Sequence, residues 1–218
     1  NDIGDTNAWK AKKKPHRLAA LHTIFLAQMS KDLPNVAYPQ AWLAQGNSPV
    51  GVLRPKDSNG IYLAAKGGSP LDNHSNMAAG SFILEWKKIR WSVDLGNQAN
   101  KELDSRSLVT GSELSGNTPY FSLDLSPLFG KNLNKASRTF KQISDQQVQV
   151  IDELEVNEKT KEIRWQMMTT AEVVIQKDGV LLSQNGEKLW LDFNSNQEHE
   201  TQITKLDPPP LSYDKQIE

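Results

Sequence analysis

The strongest constraint on this chain is the stretch at residues 70–98, PLDNHSNMAAGSFILEWKKIRWSVDLGNQ. Phe82, Leu84 and Trp86 occupy alternate positions, and so do Ile89, Trp91 and Val93. A period of two places each set on one face of a half-buried strand, and Lys87-Lys88 falls where the two strands must turn back on each other. A polar loop and a Gly-Ser step precede the hairpin. That loop holds His74, the only histidine between His22 and His199. A potentially reactive imidazole therefore stands at the mouth of a sheet.

The segments after this hairpin repeat the strand signal. Residues 120–129, YFSLDLSPLF, predict a strand and a tight turn at Ser126-Pro127. Residues 137–144 and 146–156 both alternate, Asn157–Thr160 is a polar turn, and 162–175 is the expected return strand. Asp178-Gly179 and Asn185-Gly186 have the composition of type I′ turns, whose two central residues need positive φ. They pair 179–184 with 187–193. Closely spaced strands with turn signals between them predict an antiparallel β-sandwich over residues 35–206.

The flanks differ. In residues 8–33 Leu18, Leu21, Ile24, Phe25 and Met29 form an apolar stripe at three- and four-residue steps, which predicts a helix stopped by Pro34. Lys10, Lys12, Lys13 and Lys14 read as a solvated run before it. Residues 1–34 are thus a helix with its linker, and 207–218, beginning with Pro208-Pro209-Pro210 nearby, a polar tail. Residues 34–60, dense in Pro and Gly, read as a linker or a crossover from helix to sheet, and 96–120 as long loops. The start at Asn1 suggests a processed or excised piece.

Several function classes are excluded at this level. A formal net charge of −1 gives no general field for nucleic acid or another polyanion. With no cysteine there are no disulfides, thiolate metal sites or cysteine nucleophiles. No apolar run approaches the ~18 residues of a membrane span. No nucleophile elbow, phosphate-binding glycine loop or HExxH pair occurs, and Gly67-Gly68 lacks the lysine and helix a phosphate loop needs. Asp152 and Glu153 are adjacent in a strand and point to opposite faces, so they form no acid/base dyad. What remains is Asp72-Asn73-His74, where an imidazole can act as general acid or base and a neighbouring amide can bind a carboxylate.

The strings DNHSNMAAGSF (72–82) and IRWSVDLG (89–96), followed by SLDLSPLF, SRTF and VQVIDEL, resemble the heparinase II/III-like polysaccharide lyases over about residues 35–195. The family typically shows His-x-His-x-Asp-Ala-Gly-Ser-Phe and then Asp-Leu-Gly. The resemblance implies a β-sandwich (supersandwich-like) that follows an α/α toroid, with residues 8–33 as the last toroid helix. It implies β-elimination on a uronate-containing acidic polysaccharide, met in a periplasm or outside the cell. His74 would be the catalytic histidine from the sandwich, with Asn73 and Arg90 binding substrate. The tyrosine and other polar groups would come from a toroid in cis or in trans, so the isolated chain is expected to be inactive. The family's sandwich commonly holds a structural zinc through the second histidine of the run, the aspartate of Asp-Leu-Gly and a later histidine. Here Asn76 and Ala78 replace the second histidine and the aspartate of the run, and only Asp94 is kept. No zinc or other cofactor is expected. The alternatives are a non-catalytic glycan-binding sheet using Trp86, Trp91, Arg90 or Trp165, and a structural β-domain. Core packing is the simpler role for those tryptophans.

Overall fold

A computed structural model describes residues 37–69, 79–94 and 106–205. The helix expected over 8–33, the loop carrying Asn73 and His74, and the tail at 207–218 lie outside the described residues. The chain divides into two units, Asn1–Tyr38 and Pro39–Glu218, and the following concerns the second.

The fold is mainly β, with three antiparallel sheets. The first holds β1 (Ala41–Ala44), β2 (Val50–Leu53), β3 (Tyr62–Lys66), β4 (Phe82–Trp86) and β5 (Ile89–Ser92), in that spatial order. The second holds β6 (Leu108–Glu113), β7 (Tyr120–Asp124), β8 (Leu133–Ser144) and β9 (Gln147–Val156), and a single helical turn α1 (Ser126–Phe129) joins β7 to β8. The third is a meander of β10 (Glu172–Gln176), β11 (Gly179–Gln184) and β12 (Glu187–Leu191).

Alternation sets how the sheets meet. Leu63 on β3 and Trp91 on β5 are fully buried, as are Phe121 and Phe140 from the second sheet. The Phe82 and Phe140 rings lie 5.9 Å apart and those of Phe121 and Phe140 5.2 Å apart, so the inner faces of the first two sheets share one core. Val180 and Leu182 of β11 join that cluster. Each such side chain contributes about 1.5–3 kcal/mol on burial, which is what holds three separately twisted sheets together.

The expected hairpin forms, with Trp86 opposite Ile89 and a bulge between Leu84 and Glu85. Its turn residues Lys87 and Lys88 adopt φ of 53° and 64°, the left-handed region that side-chain-bearing residues enter at a cost. Trp91 is buried as expected, whereas Trp165 is 38% exposed and packs on Phe82 and Phe193.

Five expectations need correction. Residues 34–60 are no crossover, because they contain β1 and β2. These strands have only four residues, and Gly51, Val52 and Leu53 are all buried, so no alternation marks them. Residues 96–120 are not all loop: they include β6, an edge strand whose side chains are mostly polar or exposed. Ser126-Pro127 opens α1 and is no simple turn, since proline suits a first helical turn where its missing N–H is not needed. Within 162–175 only β10 joins a ladder; before it, Met168 makes an isolated bridge to Val93. Finally, Gln176 pairs with Gly179, so Lys177-Asp178 forms the turn and Gly179 begins β11. Asn185-Gly186, with φ of 51° and 80°, is the turn the composition indicated.

Candidate functional site

Antiparallel order fixes which loops of the first sheet gather together. The β1–β2 loop, the end of β3, the start of β4 and the exit from β5 share one end, and the Lys87-Lys88 turn lies at the other. The chain leaves the described structure at Ser69 and returns at Ala79, at the first of these ends. His74 and Asn73 belong to the segment between and lie outside the described residues, as do Asn76 and Ala78.

The stems of that segment are held closely. Gly67 N donates to the Pro49 carbonyl at 2.8 Å, and Gly68 and Ser107 exchange backbone hydrogen bonds of 3.1 and 2.9 Å. Arg106 Nη1 donates to the Asn47 carbonyl, tying the chain that returns from β5 to the β1–β2 loop. On the other stem, Gly80 N donates to the Lys66 carbonyl at 2.8 Å, and Lys66 N to that of Ser81 at 3.2 Å. Gly80 has φ of +82°, and a Cβ there would stand 3.1 Å from Leu125 Cδ1, so both backbone and packing favour glycine. Ser92 Oγ donates to the Phe82 carbonyl at 3.0 Å and fastens β5 to the start of β4.

One side chain reaches this stem from the second sheet. Arg138 on β8 donates Nη1 to the Gly80 carbonyl at 2.9 Å. Its Nε and Nη2 meet the two carboxylate oxygens of Asp152 on β9, each at 2.6 Å, in a bidentate pair. The two side chains are 17% and 20% exposed. Such a pair fixes the guanidinium plane, and so fixes where its remaining donor points. Glu153 faces the other way, toward Lys135 and Ser137. The hydrogen bond and the charge of Lys135, with the Ser137 hydroxyl, hold its carboxyl below the ordinary glutamate range. The separation expected of this acidic pair is therefore what the strand produces.

Arg90 lies elsewhere. It projects exposed from β5 next to the Lys87-Lys88 turn and pairs with Glu85 through Nε (2.9 Å) and Nη2. The described residues do not bring it beside the stems of the His74 segment. Asp94, kept from the resembled pattern, follows Val93, whose N–H donates to the Met168 carbonyl at 3.0 Å. No three histidines, cysteines or acidic residues group to hold a metal ion among the described residues. The sequence does not offer the donors that the resembled pattern would need for a structural zinc with Asp94: Asn76 is a poor ligand beside imidazole, and the chain has no histidine between His74 and His199.

No family model matches this chain, and no curated protein does.

Sequence reasoning passed over Arg138. Its signal was present: opposite charges at Arg138 and Asp152, on neighbouring strands at positions whose neighbours Phe140 and Val150 point inward. A concavity of about 480 Å³ on the outer face of the second sheet has much of its polar lining already paired. Ser122 bonds to Thr139 at 2.7 Å, and Lys135 and Ser137 both bond to Glu153. Among the described residues no helix is long and apolar enough to cross a membrane.

Proposed function

We propose that this chain carries the β-sandwich domain of a heparinase II/III-like polysaccharide lyase, acting by β-elimination on a uronate-containing polysaccharide in a periplasm or outside the cell. The observation that carries the reading is the run 72–82 entering β4, the strand between β3 and β5 at the loop-bearing end of the first sheet. In this reading His74 exchanges a proton during removal of the C5 hydrogen or release of the C4 oxygen, and Asn73 hydrogen-bonds the uronate carboxylate so that charge can build at C5. Arg90, beside the Lys87-Lys88 turn at the opposite end of the sheet from the stems, would meet a part of the polymer away from the reacting uronate. A toroid, in cis or in trans, completes the site, and the chain alone is inactive.

The test is ultraviolet absorbance during incubation with alginate, heparin and other uronate polymers, because elimination creates a conjugated unsaturated uronate. The chain is assayed alone and with an α/α-toroid domain from a lyase of that family. A rise that His74→Ala abolishes supports the reading. A rise that survives this change removes His74 from the chemistry, and a flat trace with every toroid and polymer sinks the lyase reading. A second reading, a non-catalytic glycan-binding sandwich, draws on Asn76 and Ala78, which depart from the run expected of the active family.

A further inference from the structure

The third sheet turns one face to the core and the other to solvent. On the outer face, register aligns Val174 (β10), Leu181 (β11) and Trp190 (β12) in a single row across all three strands. Val174 is 51% and Trp190 44% exposed, so the row is an apolar stripe in water. At the ~4.8 Å strand spacing it runs about 10 Å, the length of two sugar rings. The neighbouring row on the same face is polar throughout: Glu172, Ser183 and Lys188. Glu172 and Ser183 also line a shallow cavity of about 350 Å³ with Thr170, Gln184, Asn185 and Gly186.

Trp190 is held in place. A Cβ at Gly179 would stand 2.7 Å from the indole Cζ2 and 2.4 Å from the Leu191 carbonyl oxygen. The indole therefore rests over a residue that must lack a side chain. This is also why Gly179 serves as the first residue of β11 and not as part of the turn. An aromatic ring fixed against backbone loses little freedom when a ligand stacks on it.

The size of the stripe selects its occupant. One fully buried aromatic side chain removes at most about 250 Å² from water, and two aliphatic neighbours add less. A stable dimer or protein complex needs roughly 800 Å² from each partner. A pyranose ring, by contrast, has an apolar C–H face matching a flat apolar floor, and equatorial hydroxyls that reach outward to a polar rim. The cavity on the outer face of the second sheet has one aromatic ring, Tyr120, among hydroxyl and charged side chains largely paired with one another, and no apolar row beside it. We propose that Trp190, Leu181 and Val174 form a stacking platform for the pyranose rings of a polysaccharide, with Glu172, Ser183 and Lys188 hydrogen-bonding the ring hydroxyls. The proposal is independent of the elimination chemistry and holds whether or not the chain is a lyase.

The test is affinity electrophoresis in gels cast with soluble alginate, xylan or mixed-linkage β-glucan, comparing wild type with Trp190→Ala and Val174→Lys. Both positions are about half exposed, so folding is expected to survive, and circular dichroism checks this. Wild type is expected to be retarded by at least one polymer. Either substitution is expected to weaken the apparent binding at least about ten-fold, the scale of losing an interfacial anchor. Retardation should persist near 1 M salt, where the Debye length is about 3 Å, because stacking and not charge carries it. Unchanged retardation in both variants overturns the proposal, as does free migration of wild type in every gel. A wild-type dimer in sedimentation velocity that Trp190→Ala dissociates also overturns it, since a second copy would then be the occupant.

Discussion

Arg138 ties two neighbouring strands of the second sheet to a stem of the His74 segment through three hydrogen bonds, so its removal should be felt in a particular pattern. Asp152→Asn keeps the shape but leaves a guanidinium, 17% exposed, without its counter-charge. Arg138→Met strands the carboxylate and also leaves the Gly80 carbonyl without the donor at 2.9 Å. Breaking a fully buried pair from one side costs about 3–5 kcal/mol, and partial exposure lowers this to about 2–4 kcal/mol for each single change. In the double variant no unpaired charge remains, and the residual cost is roughly the lost packing and the ~1 kcal/mol bond to Gly80. A double-mutant cycle by urea denaturation should therefore show the double variant no worse than the poorer single, with a coupling of about 2 kcal/mol. At roughly 2–4 °C per kcal/mol for a domain of this size, each single variant melts about 4–16 °C lower. Hydrogen exchange should quicken at Gly80 and Lys66 in Arg138→Met more than at β11. Additive single costs, within about 0.5 kcal/mol, would refute the argument, because they would mean the two side chains do not sense each other.

Two further outcomes follow from the same coordinates. Lys88→Gly should stabilise the protein by about 1 kcal/mol, since φ of 64° penalises any residue with a Cβ and the Lys88 side chain makes no hydrogen bond or ion pair among the described residues; a lower urea midpoint would contradict this. Lys87 is a poorer choice, because its ammonium sits 4.5 Å above the Trp86 ring and 2.7 Å from Glu187. Glu153 has a lowered carboxyl pKa in the fold, so the stabilisation it supplies is present above the ordinary glutamate value and fades as pH falls through the lowered one. Lys135→Ala should move the Glu153 titration, followed by NMR of its side-chain carboxyl carbon, back up toward the ordinary range with little change in melting at pH 7; an unmoved titration would remove Lys135 as the cause.

Period-two alternation was enough to find the long or one-sided strands. β8 and β9 interleave inward Phe140 and Val150 with outward Lys141 and Ile151, and β4 and β5 do the same around a lysine turn. It failed where burial on both faces erased the pattern, as at Val50–Leu53, and where an edge strand carried little apolar signal, as at Leu108–Glu113. Turn chemistry misled twice, at Ser126-Pro127, which opens α1, and at Asp178-Gly179. Asp178-Gly179 has the composition of a two-residue turn, but Gly179 is needed one step later, under the indole of Trp190. A glycine answers to local turn geometry and to distant packing alike, and sequence spacing does not separate the two demands. Arg138 escaped notice for a related reason: a lone arginine in an alternating strand reads as a solvated charge until its partner strand is placed in register.

Register also decides how the stems of the His74 segment are anchored under the lyase reading. The resembled family would tie the run to the strand after it through a metal, by way of the second histidine and the aspartate of Asp-Leu-Gly. With Asn76 and Ala78 in the run, that tie has no adequate donor set. The stems here are fastened by backbone bonds from Gly67, Gly68 and Gly80 and by Arg138 of the second sheet, which draws its rigidity from Asp152 on the neighbouring strand. An ion pair largely shielded from water needs no metal supply and is insensitive to chelators, but it depends on both carboxylate oxygens of one aspartate. Loss of Asp152 should therefore loosen the start of β4, whereas chelation should leave it unchanged. That contrast separates a fold that replaced a metal tie from one that still relies on it.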